Sequence, residues 1–293
     1  MPKVSICIPA YEQVEYLKLS LDSILNQSYS DYEIIITDDS KTDKVENLVK
    51  KYDFEGKLKY YRNSNRLGSP ENWNEALRKA TGEYIKIVHH DEWFNYEDSL
   101  TKFVEALDNN PQLDFAFSAA RGYNVSQNHK WVHKPTQNQL ANLEINPLVL
   151  FFGNFIGAPS NVIFRRNTEE LFNSNLIWCV DFEFYIRLLL KKRQFYYIDY
   201  DLVTSVSNAE HNVTNLCNDN KKIEVFEYLY LYNEFSYNSS FTQNLKFVTF
   251  FRQLFTKYNI KTKEDIIDCD YLDVIPNLVR GSLFLNIILR RRA

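Results

Sequence analysis

The feature that most constrains this chain is an alternation. Short apolar runs rich in β-branched residues take turns with segments whose apolar residues recur at helical spacing. Lys3–Pro9, Glu33–Thr37, Leu58–Tyr61, Tyr84–Val88 and Asp114–Ser118 read as strands. Between the first two, Tyr16, Leu17, Leu21, Ile24 and Leu25 fall on one helical face. Helices are expected over Thr42–Tyr52, from Pro70 to Ala80 and over Tyr96–Asn109. Thr42 or Asp43 is the expected cap of the first, Pro70 suits the opening turn of the second, and Gly82 lies beyond that helix's end. Strands and helices alternating at these lengths call for an α/β domain, its largely parallel sheet covered on both faces. Ligands of such sheets bind outside the carboxyl ends of the strands. Three of those ends here are polar or acidic: Tyr11-Glu12, Asp38-Asp39 and His89–Glu92.

The 293 residues suffice for one large domain with an appendage. Residues 1–215 read as the catalytic domain, with a nucleotide half over about 1–120 and an acceptor half over about 121–215. The stretch 121–161 is irregular and punctuated by Gly153, Gly157 and Pro159; a strand at Asn161–Arg165 and a helix at Phe182–Leu190 follow. Residues 216–293 read as a C-terminal helical extension, with Lys222–Tyr237, Leu245–Tyr258 and Val274–Leu289 as its helices.

Several classes are excluded. A net charge of −4 gives no basic face for nucleic acid. Cys7, Cys179, Cys217 and Cys269 are far apart, without metal-ligand spacing or a disulfide framework, which suits a reducing compartment. The N-terminus lacks a basic region followed by an apolar leader, and no apolar run reaches the roughly 18–20 residues of a membrane span. A cytoplasmic location is expected. After the first strand come Pro9, Ala10, Tyr11 and Glu12, with no glycine, so neither a dinucleotide fingerprint nor a P-loop is present. A bound diphosphate would then depend on a divalent cation held by carboxylates, a role the acidic strand ends suit.

Five segments carry a family resemblance. They are Val4 to Glu12, Glu33 to Asp43, Asn65-Arg66-Leu67-Gly68 with Asn72 to Leu77, Ala80 to Ile85 leading into His89–Glu92, and Asp181 to Arg187. In this order and spacing, over about residues 1–210, the chain resembles inverting glycosyltransferase family 2. The resemblance implies the GT-A fold, a Rossmann-like mixed, mainly parallel sheet with helices on both faces. It implies that Pro9, Ala10 and Tyr11 line the base pocket, with Glu12 where Asn is usual. Asp39 would accept the N3–H of uracil or thymine beside Asp38, and Asn65, Arg66, His90 and Asp91 would border the rest of the nucleotide. The family's D-x-D falls on His89 and Asp91, with Glu92 following. Asp91, His89 and the late His211 are the implied ligands of Mn2+ or Mg2+. Asp181 would be the general base, with Val180 where Glu is usual, and Glu183, paired with Arg187, the runner-up. Trp93, Glu92, Pro159 and Ser160 fall on the sugar and acceptor side.

The implied reaction moves a sugar from a UDP- or dTDP-sugar to a hydroxyl of a saccharide or lipid-linked saccharide in a surface glycan. The end Leu289-Arg290-Arg291-Arg292-Ala293 suits peripheral contact at the inner face of the cytoplasmic membrane, or a packed appendage or homodimer contact. Two other classes remain: a non-catalytic nucleotide- or glycan-binding relative, motivated by His89, and a sugar-phosphate nucleotidyltransferase, whose usual Gly-rich loop is missing.

Overall fold

The computed structural model describes residues 1–167, 169–192, 194–207, 217, 219–271 and 276–290. These divide into two compact units, one of Met1–Leu150, Asn154–Asn175 and the described residues from Val180 to Ser207, the other of Phe151–Gly153, Leu176–Cys179 and the described residues from Cys217 on.

The first unit is built on one sheet. Its strands are β1 (Val4–Ala10), β2 (Tyr32–Asp38), β3 (Leu58–Arg62), β4 (Tyr84–Ile87), β5 (Glu92–Phe94), β6 (Phe115–Asn124), β7 (His129–His133), β8 (Val162–Arg165) and β9 (Tyr196–Ser207). The order is β3-β2-β1-β4-β8-β6-β9-β5, with β7 added to β6. The first four strands pair in parallel, and β8 then joins β4 antiparallel. Every residue of β1 and β2 is buried, as expected of parallel strands covered on both faces.

The helices between these strands are α1 (Val14–Leu25), α2 (Lys44–Val49), α3 (Glu71–Lys79) and α4 (Ser99–Asp108). Two more follow, α5 (Gln137–Ile145) and α6 (Val180–Lys192). Leu17, Leu21 and Ile24 of α1 join Ile6, Ile8, Ile34 and Ile36 in one buried cluster. Each such side chain contributes about 1.5–3 kcal/mol on burial.

Three local expectations change. Helix α2 starts at Lys44, with Asp43 in the expected cap position but without a side-chain capping bond, and ends at Val49; the Thr42 hydroxyl donates to Glu12 Oε2 (2.9 Å). The strand expected over Asp114–Ser118 runs on to Asn124, carried by parallel pairing with β9 through a register shift after Ser118. Gly82 serves a close approach between backbones and not a helix cap: a Cβ there would lie 2.6 Å from Ser5 N and 2.8 Å from Val4 C.

In the second unit, the helices Lys221–Phe235, Phe241–Lys257, Lys263–Ile267 and Asn277–Arg290 surround an aromatic core. Phe151, Phe247, Phe251 and Tyr232 meet edge to face there. The buried Glu227 carboxylate accepts from the amides of Ile177, Trp178 and Cys179. Among the described residues, no helix is long and apolar enough to cross a membrane.

Candidate functional site

The strand order reverses direction between β1 and β4, so the crevice outside their carboxyl ends is the expected ligand position. His90 Nδ1 lies 3.2 Å from Pro9 O and ties these two ends together. The neighbouring end of β2 joins through Asp39 N, which donates to Ala10 O (3.1 Å). Pro9 to Glu12, Asp38, Asp39 and His89 to Glu92 are therefore gathered at one edge of the sheet.

The β2 side is heavily cross-linked. Asp38 Oδ1 accepts from Ser40 N (2.8 Å) and Oδ2 from Tyr60 Oη (2.6 Å). Asp39 accepts from Asn63 Nδ2 (2.6 Å), Gly68 N (2.7 Å) and Leu67 N, which is shared between both oxygens. With Leu67 N shared, each Asp39 oxygen accepts two bonds, about the full acceptor capacity of a carboxylate. Glu12 sits in the left-handed region (φ 59°). Its amide donates to Ser40 Oγ, and its carboxylate accepts from Lys41 N and Thr42 Oγ1. The Arg66 guanidinium stacks 4.5 Å over the Tyr11 ring, and Asn65 beside it is exposed.

The β4 side is arranged differently. Glu92 is 4% exposed and turns inward, accepting from His89 Nδ1 (3.1 Å), His89 N (3.2 Å) and Ser205 Oγ (2.7 Å). It thus orients His89 through Nδ1 and leaves Nε2 as the ring's other nitrogen. That Nε2 is buried and has no hydrogen-bond partner. Burial disfavours a charged His89 ring, but Glu92 beside it outweighs this and raises its pKa; burial likewise opposes the Glu92 charge, and His89 holds its carboxyl below the usual range. Trp73 packs on the His89 ring at 4.5 Å and edge-on to Phe172 at 5.2 Å. Trp93 lies on β5 opposite Thr204 and is half-buried.

Asp181 stands in the first turn of α6, where the helix's positive end favours a carboxylate. Its Oδ1 accepts from Phe182 N (2.9 Å) and its Oδ2 from Asn154 Nδ2 (2.9 Å). Burial pushes its pKa up to about 6, against the pull of those bonds and of His89. Asp181 and His89 influence one another electrostatically, Asp181 raising the His89 pKa and His89 lowering that of Asp181. A carboxyl poised near neutrality can take a proton from a hydroxyl.

Glu183 is not part of this gathering. It is 3% exposed and bonded to Arg187 Nε (3.0 Å), and Arg187 also holds Glu170 (2.8 Å). The expected Glu183–Arg187 pair is present, and it commits the runner-up base to an internal ion pair. Pro159 and Ser160 are buried; the Ser160 carbonyl accepts from Lys86 Nζ. His211 lies outside the described residues. Among the described residues, no group of three His, Cys, Asp or Glu is arranged to hold a metal.

Three contributors escaped the sequence reading. Asn154 orients Asp181 and also donates to Gly157 O (3.1 Å), while its Oδ1 accepts from Gly157 N (2.9 Å). Tyr185 Oη donates to the same Gly157 carbonyl (3.1 Å). Lys86, fully buried in β4, donates to Ser160 O and Val162 O, and burial pulls its pKa down to about 7. A charged residue inside the apolar run Tyr84–Val88 was the available signal for Lys86. Asn154 had only the glycines around it.

A mixed sheet in this order, with a polar crevice at its reversal point, is the GT-A fold. Residues 5–172 match the model described as Glycosyl transferase family 2, and the chain belongs to that family. An uncharacterized glycosyltransferase of Methanocaldococcus jannaschii is 26% identical over 252 residues, covering 84% of each chain. The poly(ribitol-phosphate) beta-glucosyltransferase of Bacillus spizizenii is 30% identical over 181 residues, 60% of this chain and 26% of that one. Among solved structures, S. aureus TarS 1-349 superposes with a TM-score of 0.61 at 18% identity, covering 99% of this chain and 92% of that chain. Mannosyltransferase PcManGT from Pyrobaculum calidifontis, in complex with GDP-Man and Mn2+, gives 0.56 at 16% identity, covering 100% and 76%. At these identities the structural likeness speaks to the fold.

Proposed function

We propose that this glycosyltransferase moves one sugar, with inversion, from a UDP- or dTDP-sugar to a hydroxyl of a saccharide or lipid-linked saccharide in a bacterial surface glycan. The observation that carries this reading is Asp181, a carboxyl raised to about 6 beside the His89–Glu92 cluster at the sheet's reversal point. TarS has been solved with UDP-GlcNAc and with UDP, which supports a nucleotide-sugar donor. The Bacillus spizizenii relative, named for glucosyl transfer to poly(ribitol-phosphate), supports a surface-glycan acceptor.

In this reading the base of the nucleotide lies against Pro9, Ala10 and Tyr11, and its ring N3–H displaces one branch of the Leu67 amide bond that both Asp39 oxygens share. Arg66 keeps its charge near the nucleotide by stacking on Tyr11. The acceptor hydroxyl attacks the anomeric carbon, its proton passes to Asp181, and the bond to the diphosphate breaks on the opposite face. Asn154 and the Phe182 amide hold the Asp181 carboxylate in place, one on each oxygen.

The residues present fit a divalent cation: His89 Nε2 is an orphaned buried nitrogen presented by Glu92, and Asp91 stands two residues on. Asp91 and His89, with His211, would hold Mn2+ or Mg2+ together with diphosphate oxygens. Such an ion, when bound, supplies charge neutralisation for the leaving diphosphate. Residues 1–215 are read as the catalytic domain and 216–293 as an extension serving attachment at the inner membrane face or self-association.

The test is a screen of UDP- and dTDP-sugars for nucleotide release with Mn2+ and then Mg2+, followed by NMR assignment of the product's anomeric configuration. Release from at least one such donor, with inversion, is expected. No release from any, or a product that retains configuration, contradicts the reading.

A further inference from the structure

Strand β7 sends His129, Trp131 and His133 to one face, because successive side chains of a strand alternate. Opposite them on β6 stand Asn124, Gly122 and Ala120. The Gly122 row continues to Ser205 of β9 and then to Glu92 of β5. Trp131, Gly122, Ser205 and Glu92 thus form one rung across four strands, on the face where Ser205 Oγ donates to Glu92. With strands about 4.8 Å apart, the Trp131 backbone stands roughly 14 Å from that of Glu92.

Gly122 makes room for the indole. A Cβ at this position would lie 2.3 Å from both Cε2 and Cζ2 of Trp131, so any larger residue displaces the ring. Trp131 remains 39% exposed, and the His129 imidazole stacks beside its ring at 6.0 Å, 12° from parallel. At the other end of the row, His133 Nε2 lies 3.0 Å from Phe155 O, and its ring borders Gly157. The Gly157 carbonyl accepts from Asn154, which holds Asp181. The three rings therefore run outward from the loop that orients Asp181.

We propose that Trp131, seated on Gly122 and backed by His129, is a stacking subsite for a pyranose ring of the acceptor saccharide, beyond the sugar that bears the attacking hydroxyl. A pyranose turns a patch of C–H groups to one side, and these meet the electron-rich face of an indole favourably. Its hydroxyls need a polar neighbour, which His129 supplies on the same face; Asn124 there is held by Ser126 Oγ and Gln127 N and fixes the end of the hairpin instead. The surroundings are too polar for the centre of a protein interface, which is depleted in such groups. Continuity with the Asp181 loop argues for the acceptor. The proposal rests on the reading of Asp181 as the base of a glycosyl transfer.

Saturation-transfer NMR tests it, on full-length protein with UDP and Mn2+, using methyl β-glucoside, methyl β-galactoside and methyl β-N-acetylglucosaminide as probes. At least one glycoside should receive saturation on its ring C–H protons. Trp131→Ala and Gly122→Val should weaken that binding about tenfold or more, and Trp131→Phe should retain most of it. UDP affinity, measured in parallel by calorimetry, should stay the same in all variants. Wild-type protein that binds UDP but saturates no glycoside overturns the subsite, as does a Trp131→Ala variant with an undiminished signal or an equal loss of UDP affinity. Wild-type protein that saturates a glycoside through Trp131 but binds neither UDP nor dTDP overturns the transfer reading and leaves the subsite standing.

Discussion

At the carboxyl end of β2, Asp38 and Asp39 commit their oxygens to Ser40 N, Tyr60 Oη, Asn63 Nδ2, Leu67 N and Gly68 N. At the carboxyl end of β4, Glu92 turns inward and leaves His89 Nε2 buried with no partner. Both ends are acidic in sequence and border the same crevice. The first is a finished framework whose loop geometry depends on its carboxylates. The second holds an unspent polar atom, with Asp181 close enough to influence it electrostatically. Acidic residues at strand ends thus do two jobs, shaping a pocket at β2 and reacting or ligating at β4. Which job a given carboxylate does follows from its donors and not from its sequence position.

The largest expected effect separates the two ends by chemistry. Asp181→Asn should lower transfer by about 10²–10⁴-fold while nucleotide affinity changes little, as read by kcat and by titration with UDP. Asp39→Ala should act first on the fold: three donors lose their acceptor, and thermal denaturation should show a loss of about 1–3 kcal/mol. Asp91→Ala is the matching change at β4. It should weaken Mn2+-dependent nucleotide binding about tenfold and move stability by only about 0.5 kcal/mol. If Asp91→Ala destabilises as much as Asp39→Ala, the contrast between the two ends collapses.

A smaller effect follows from the Asp181 carboxyl. Its pKa in the folded chain, about 6, lies above the ordinary 3.8. The folded state therefore binds the proton more tightly than the unfolded state, and the ionised carboxylate costs stability above about pH 6. Asp181→Asn should raise stability at pH 7.5 by on the order of 1 kcal/mol, seen as a higher melting temperature, with the difference shrinking towards pH 4. Equal melting at both values would mean that Asp181 is not held against its preference.

Much of this was legible in the chain. The strands Val4–Ala10, Tyr32–Asp38, Leu58–Arg62 and Tyr84–Ile87 follow from apolar runs, because strands buried on both faces must be apolar almost throughout. The reversal-point site followed from polar residues ending those runs. The resemblance ranked Asp181 above Glu183, and the i,i+4 spacing gave the Glu183–Arg187 pair; that Glu170 joins this pair was not legible, because it comes from a separate segment. Asn154 and Trp131 act through partners whose positions depend on the fold of an irregular stretch. Gly122 looks like any strand glycine until the indole lying on it is seen.

The most direct test of the account is the pH dependence of single-turnover transfer for wild-type protein and Asp181→Asn, using a donor found by the screen. The wild-type rate should rise as pH increases through about 6 and then level off, as Asp181 ionises. The variant should be about 10²–10⁴-fold slower and lack that rise. A variant within tenfold of wild type, with the same rise near pH 6, would contradict the assignment of Asp181 as the base.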